Sequence, residues 1–310
     1  MPVIEVEHLQ KRYGDHLAVA DVSLSVGEGE VFCLLGPNGA GKSTTTEILE
    51  GYRARTSGSV RVLGHDPGRA ERALRERVGI VLQECGVPAE LSVSELLAMY
   101  GRPYPRRRPA AELLALVGLE DHRGARAGTL SGGQRRRLDL ALALVGDPDV
   151  VFLDEPTTGF DPSARRDAWS AIRNLCALGK TVFLTTHFMD EAQALADRIA
   201  VMRAGRIVAT GTPDDLGGRG ELPATIRFLA PTGAALPVLP AAEVTRDCEH
   251  VTLTVADAAG GAHAITSWAH ERGLELRDFS VTRPSLEDVY LRLTAADADT
   301  ITPDPEEALR

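Results

Sequence analysis

The sequence predicts an α/β protein, a mainly parallel sheet covered by helices, followed by a small α+β domain. Three observations carry that reading. The runs Val31-Phe32-Cys33-Leu34-Leu35 and Val150-Val151-Phe152-Leu153 are wholly apolar, as in strands buried on both faces. Each is followed by a loop and then by helical periodicity, the strand–loop–helix order of a parallel sheet. Finally, "GTPDDLGGRGELPA" (211–224) is rich in Gly, Pro and Asp and separates this pattern from a different one downstream.

Taken in order, Val3 to Val26 reads as short strands around a turn at Tyr13-Gly14-Asp15. The strand at 31–35 runs into a glycine-rich loop. A helix from Lys42 to Glu50 is then stopped by Gly51. Residues 74–128 are mostly helical in pattern, with "SVSELLAMYG" and "PAAELLALVGL" as candidate helices. Next come a helix from Gln134, the strand at 150–153, a helix near 164–178 and a strand at Thr181–Thr185. "RIAVMRAGRIVATG" reads as two strands joined at Ala204-Gly205. These elements make a first domain over 1–215, with a helical part at about 84–145, and a linker at 216–224. The second domain spans 225–296. It holds strands at Thr225–Ala230, Val251–Val255 and Leu274–Val281, and helices at Ala262–Arg272 and Ser285–Leu293. Residues 297–310 carry five acids, two prolines and one arginine, the composition of a disordered acidic tail.

A net charge of −10 argues against a nucleic-acid binder working through a global positive field, so no nucleic-acid partner is expected. No run approaches the roughly 18 apolar residues of a membrane-spanning helix. The start "MPVIEVEHLQ" lacks the basic-then-apolar order of a secretory leader. The four cysteines, Cys33, Cys85, Cys176 and Cys248, have no metal-ligand spacing and read as reduced, packed thiols. Only three of the 34 basic residues are lysines. One of them, Lys42, falls where a slim point charge is needed and the planar fork of arginine is not equivalent.

That place is "GPNGAGKST", Gly36-Pro37-Asn38-Gly39-Ala40-Gly41-Lys42-Ser43-Thr44, which satisfies G-x-x-x-x-G-K-S between a buried strand and a helix. The glycines let backbone N–H groups turn inward around a β-phosphate, and the helix N-terminus adds partial positive charge. Lys42 spans the β- and γ-phosphates, and Ser43 offers a hydroxyl to Mg²⁺. ATP and Mg²⁺ are the expected ligands. "VVFLDEP" brings two carboxylates to the C-terminal end of a buried strand, where ligands sit in open parallel sheets. Asp154 suits the Mg²⁺ shell, through water. Glu155 is placed to polarise an attacking water as general base.

A second anion-binding element lies far downstream in "TLSGGQRRR". Ser131 and Gln134 have capping-box spacing, so a helix starts there, with Gly132 and Gly133 leaving its N-terminus open to approach. Leu130-Ser131-Gly132-Gly133-Gln134 is the LSGGQ signature of the ATP-binding cassette (ABC) ATPases, and the chain resembles that family over roughly residues 2–215. The resemblance implies a P-loop NTPase cassette with a RecA-like parallel core, an antiparallel β subdomain and a helical subdomain. It also implies that Tyr13 stacks on adenine, that Gln83 senses Mg²⁺ and the attacking water, and that His187 holds the γ-phosphate. Asp161 of "TTGFD" would belong to the loop that contacts the opposite subunit. In this family the signature of one subunit closes over the γ-phosphate bound by the other. The second anion site then belongs to the partner's ATP, and a homodimer completes both sites.

The cassette occurs once, and Gln83 and Ser131 are only 48 positions apart (131 − 83), leaving no room for an inserted coiled coil. "RPSLEDVYLRLT" (283–294) and "RRRLDLALALVGDPDVVFLDEPTTGFDP" resemble exporter ATPases of the daunorubicin-resistance type. That implies a separately encoded membrane permease, a place on the cytoplasmic face of the membrane, and a drug, antibiotic or lipid-like cargo. A soluble regulator or assembly factor built on the same cassette is the alternative that composition leaves open.

Overall fold

The computed structural model describes residues 2–69, 71–81, 86–230, 235–237, 239 and 243–296. The chain divides into two compact units, Met1–Pro213 and Asp214–Arg310.

The first unit is built on a nine-stranded sheet. Its strands are β1 (Pro2–Tyr13), β2 (His16–Gly27), β3 (Val31–Leu35), β4 (Ser57–Val62), β5 (Val78–Val81), β6 (Val150–Asp154), β7 (Thr181–Thr186), β8 (Arg198–Arg203) and β9 (Arg206–Gly211). They lie in the order β4-β1-β2-β9-β8-β3-β7-β6-β5. Strands β8, β3, β7, β6 and β5 run parallel, whereas β4, β1 and β2 pair antiparallel. Helices α1 (Lys42–Leu49), α2 (Arg72–Arg75), α3 (Val93–Gly101), α4 (Ala110–Val117), α5 (Gly132–Ala143), α6 (Pro162–Ala177) and α7 (Met189–Leu195) complete the unit. Three of them, α3 to α5, form the helical subdomain.

The centre of the sheet is fixed by an aromatic row. Phe32, Phe183 and Phe152 occupy matched register positions on β3, β7 and β6 and are fully buried. Successive ring centroids lie 5.6 Å apart. Such pairs add about 0.5–1.5 kcal/mol each beyond the area they bury. Because parallel strands in register end together, this row also sets where the loops after β3, β6 and β7 emerge.

The second unit has a four-stranded antiparallel sheet of β10 (Ala224–Leu229), β11 (Glu243–Asp247), β12 (His250–Val255) and β13 (Arg277–Thr282), in the order β11-β12-β10-β13. Helix α8 (Ala258–Glu271) lays Ile265 and Trp268 on Ile226, Phe228, Val251 and Leu253. Helix α9 (Leu286–Ala296) follows.

The structure departs from the sequence reading at four places. Residues 74–128 are not mostly helical from their start, because Val78-Gly79-Ile80-Val81 forms edge strand β5. Four residues with a central glycine carry little strand signal. Here the glycine is required, since a Cβ on Gly79 would lie 2.5 Å from the Ala143 carbonyl oxygen. The N-terminal strands are 12 residues each rather than short, lengthened across register shifts that break their alternation. Strand β11 was not foreseen, since its five residues are all exposed and show no apolar face. The stretch 216–224 contains a 3-10 segment, Leu216–Glu221, with Leu216 buried and Gly217 and Gly218 at φ of 61° and 74°. Expectations for Gln83 and for the tail 297–310 lie outside the described residues.

Among the described residues the two cores share none: the first ends at Met202, with Ile207 packed against it, and the second begins at Ala224. A chain ending at Pro213 is therefore expected to fold and to bind ATP, as followed by circular dichroism and by fluorescence of a nucleotide analogue. Aggregation with loss of nucleotide binding would mean that the cut passes through a shared core.

Candidate functional site

The site assembles where β3, β6 and β7 end. After β3 the chain turns through Gly36–Gly41 into α1. Gly36 is fixed by its neighbour: a Cβ there would come within 2.3 Å of the Met202 carbonyl oxygen. Gly41 adopts φ 103°, a conformation that opens the loop into the helix and suits glycine. No side chain caps the N-terminus of α1, so its first N–H groups are left to an anion. Thr45 and Thr46 turn their hydroxyls onto the Gly41 and Lys42 carbonyls. Lys42 is only 4% exposed. Its Nζ donates to the carbonyls of Gly36 (2.8 Å) and Pro37 (3.1 Å) and lies 3.5 Å from Glu155 Oε1.

Strand β6 ends at Asp154, which pairs directly across the sheet with Thr185. The Thr185 hydroxyl donates to Asp154 Oδ1 and accepts from the Glu155 N–H at 3.2 Å. The same N–H reaches the Thr185 carbonyl at 3.1 Å. Glu155 sits at φ 46°, a left-handed conformation costing of order 1–3 kcal/mol in a non-glycine residue. The bonds to Thr185 hold it there, turning its side chain out of the strand. Its carboxylate, 12% exposed, has His187 Nδ1 at 3.2 Å and accepts from the Thr158 hydroxyl at 3.2 Å. The His187 contact is at ion-pair distance but not aligned as a hydrogen bond. Burial pushes the Glu155 carboxyl up, yet His187, Lys42 and Thr158 together outweigh it and hold it below the ordinary glutamate value. The group is therefore ionised at neutral pH.

Lys42, Glu155 and His187 thus meet around one carboxylate oxygen. Ser43 is exposed on the first turn of α1, and Asp154 stands at the end of β6. Both are hard oxygen donors, the chemistry Mg²⁺ takes when phosphates supply the rest of its shell. Among the described residues no group of three or more His, Cys, Asp or Glu is arranged to hold a metal by itself. Tyr13 ends β1 at the hairpin, 39% exposed, with Lys11 Nζ 4.9 Å and Arg53 Cζ 5.3 Å from its ring centre. Gln83 lies outside the described residues.

The downstream element is a capped helix. The Gln134 N–H reaches Ser131 Oγ (3.3 Å) and Gln134 Oε1 accepts from the Ser131 N–H (2.9 Å). Gly132 has open space where a Cβ would stand, and Leu130 is buried beneath. Ser131, Gly132 and Gly133 line a cleft of about 1090 Å³ together with Glu155, Thr158 and Asp161. Asp161 caps α6 by accepting from the N–H groups of Ser163 (2.8 Å) and Ala164 (3.0 Å). Those bonds hold its carboxyl below the usual range.

Two residues escaped the sequence reading. Thr185 was read only as a strand end, although a hydroxyl closing an otherwise apolar strand was the available signal. Glu191 on α7 is wholly buried and accepts from Thr157 Oγ1 (2.8 Å) and Trp169 Nε1 (3.1 Å), with burial raising its pKa. Its place in a charged run hid it.

A phosphate loop on a parallel sheet, a carboxylate pair at the adjoining strand end and a glycine-opened helix define a nucleotide-binding P-loop cassette. The family model described as "ABC transporter" matches residues 19–158, and that for an "ABC transporter domain-containing protein-like, C-terminal domain" matches 224–285. The chain is 39% identical over 304 residues to a daunorubicin resistance ATP-binding protein, DrrA3, of Streptomyces coeruleorubidus, covering 95% of this chain and 96% of the relative. It is 40% identical over 302 residues to the Nod factor export ATP-binding protein I of Paraburkholderia xenovorans (strain LB400), covering 94% and 96%. Among solved structures, cbiO1 from Clostridium perfringens superposes with a TM-score of 0.62 at 30% identity, over 69% of this chain and 90% of that one. The chain belongs to the ABC transporter family as an ATP-binding ATPase of the daunorubicin-resistance type.

Thr185→Val keeps the shape of β7 while removing the hydroxyl shared by Asp154 and Glu155. A hydrogen bond to a charged group contributes about 1.5–3 kcal/mol, so a fall in kcat of at least about tenfold is expected with KM for ATP little changed. Steady-state hydrolysis measures both; an unaltered kcat would remove Thr185 from the site.

Proposed function

We propose that the chain is the motor subunit of an exporter. Two copies close head to tail over two ATP molecules and work on a separately encoded membrane-spanning subunit at the cytoplasmic face of the membrane. The observation that carries this reading is the convergence of Lys42 and His187 on Glu155 beside the uncapped N-terminus of α1.

In this mechanism Tyr13 stacks on the adenine, and the N–H groups of Gly36–Thr44 wrap the β-phosphate. Lys42 leaves the loop carbonyls for the β- and γ-phosphate oxygens. Ser43 and Asp154, the latter through water, would hold Mg²⁺, with Gln83 completing the set; when bound, the ion screens phosphate charge and orients the γ-phosphoryl group. Glu155, ionised and turned out of its strand, accepts a proton from the attacking water. That water's oxygen bonds to the γ-phosphorus as the bond to the β–γ bridging oxygen breaks and ADP leaves with the electron pair. His187 holds a γ-phosphate oxygen during the attack. The N–H groups of Gly132 and Gly133 and the Ser131 hydroxyl, from the second copy, supply the facing wall. Leu130 and Gln134 shape that wall, and Asp161 lies in the loop beside it.

The relatives support export: their names record daunorubicin resistance and Nod factor export. No described helix is long and apolar enough to cross a membrane, so the route for cargo is assigned to the other subunit. The segment after Gln83 is assigned to contact with that subunit. The cargo class that follows is a drug, antibiotic or lipid-like compound.

Glu155→Gln preserves shape while removing the base, so ATP should bind and stay intact, holding two chains together. Light scattering is expected to give a monomer without nucleotide and a dimer with Mg-ATP, because binding only the dimer shifts assembly by mass action. Adding Ser131→Arg should abolish the dimer and spare ATP binding. A chain truncated at Pro213 that carries both substitutions and still dimerises on ATP addition would refute the trans assignment of the signature.

A further inference from the structure

The run Arg135-Arg136-Arg137 follows the signature on α5, and its side chains leave the helix in three directions, about 100° apart. Each reaches backbone carbonyls. Arg135 Nη2 donates to Ala127 (3.2 Å), and Arg137 Nη1 donates to Gly118 (3.1 Å) in the turn that ends α4. Arg136, half-buried between them, extends from the helical subdomain to the turn after β6. Its Nε donates to the Pro156 carbonyl and its Nη2 to the Asp154 carbonyl, both at 3.1 Å. Those two carbonyls stand on either side of Glu155 in the chain. Nothing in the ATPase cycle described above uses this contact.

The Asp154 carbonyl and the Glu155 N–H belong to one planar peptide. Its N–H is taken by the Thr185 hydroxyl and carbonyl and its oxygen by Arg136, so β7 holds one end of the plane and α5 the other. With that plane fixed, rotation about the Glu155 N–Cα bond sets where the carboxylate points, and φ stands at 46° in the left-handed region. The next peptide has no N–H to offer, because its nitrogen belongs to Pro156. The second arm of Arg136, on the Pro156 carbonyl, holds the exit of the turn, which the Thr158 N–H closes onto the Glu155 carbonyl at 3.3 Å. Nε and Nη2 form one edge of the planar guanidinium, two donors at a fixed spacing. An ammonium at this place supplies charge without that edge.

We infer that Arg136 is a positioning residue for the general base: its planar edge spans Glu155, from the Asp154 carbonyl to the Pro156 carbonyl, and keeps the carboxylate turned toward Lys42 and His187. Resting on the reading of Glu155 as that base, the assignment adds the group that holds the other end of the peptide bound by Thr185. Arg136 acts through the Glu155 backbone, and the shape of its fork matters more than its charge. The helix that bears it begins beside Ser131, so one rigid element carries the signature and braces the base of the same chain.

The test compares Arg136→Lys and Arg136→Met with the parent in the full chain. Thermal melting and Mg-ATP binding verify folding; should Arg136→Met not fold, Arg136→Lys carries the test alone. In Arg136→Lys, kcat is expected to fall at least about tenfold while KM for ATP stays within about threefold of the parent. The discriminating measurement is single-turnover hydrolysis in the Glu155→Gln background. With the base gone there is nothing left to position, so adding Arg136→Lys should change the residual rate by less than about twofold, the non-additivity of residues that act through one another. A larger further loss in that background would mark a purely structural role and overturn the inference. Loss of ATP binding in Arg136→Lys, or a kcat within about threefold of the parent's, would overturn it as well. Glu155→Gln hydrolysing ATP at the parent rate would instead remove Glu155 as the base, and the assignment of Arg136 with it.

Discussion

The pairing of Asp154 with Thr185 across β6 and β7 is the contact on which the rest of the site depends. One hydroxyl engages the Asp154 side chain and the Glu155 backbone together. That hydroxyl and the Thr185 carbonyl both accept from the Glu155 N–H, and together they hold its left-handed backbone so that the carboxylate turns toward Lys42 and His187. The pairing is in turn set by the row of Phe32, Phe183 and Phe152 buried further back in the same strands. Packing deep in the sheet thereby determines, over two or three residues, where the chemistry is delivered.

Electrostatics reinforce this geometry. A buried glutamate by itself would drift toward the neutral form and make a poor base. Here a buried lysine and a histidine share its oxygen, and the opposing influences resolve in favour of the charged form. Two acids elsewhere in the same domain go the other way: burial pushes Glu50 up to about 8 and, against the pull of Arg136 and Arg135, Asp139 up to about 6.

Much of this was legible in the sequence because it rests on short-range rules. Apolar runs too uniform to be half-exposed marked β3 and β6, and the phosphate loop announced itself by glycines at fixed offsets with Lys42 among arginines. The Ser131–Gln134 spacing foretold a capped helix, and the cap is present. What remained hidden depends on contacts distant in sequence. Edge strand β5 is specified by its fit against Ala143 more than by its own four residues. Exposed strand β11 has no apolar periodicity to betray it. The parts played by Thr185 and Glu191 follow from what faces each side chain, and residue type alone does not carry that information.

The central claim is that the strand ends of β3, β6 and β7 bring Lys42, Glu155 and His187 to a single reacting phosphate, with His187 acting in the transition state. Single-turnover hydrolysis by His187→Ala, measured beside its affinity for Mg-ATP, tests this most directly. The account predicts affinity within about threefold of the parent and a rate for the bound nucleotide at least about tenfold lower, near 1.4 kcal/mol of lost transition-state stabilisation. Weakened binding with an unchanged rate for the bound fraction would contradict it.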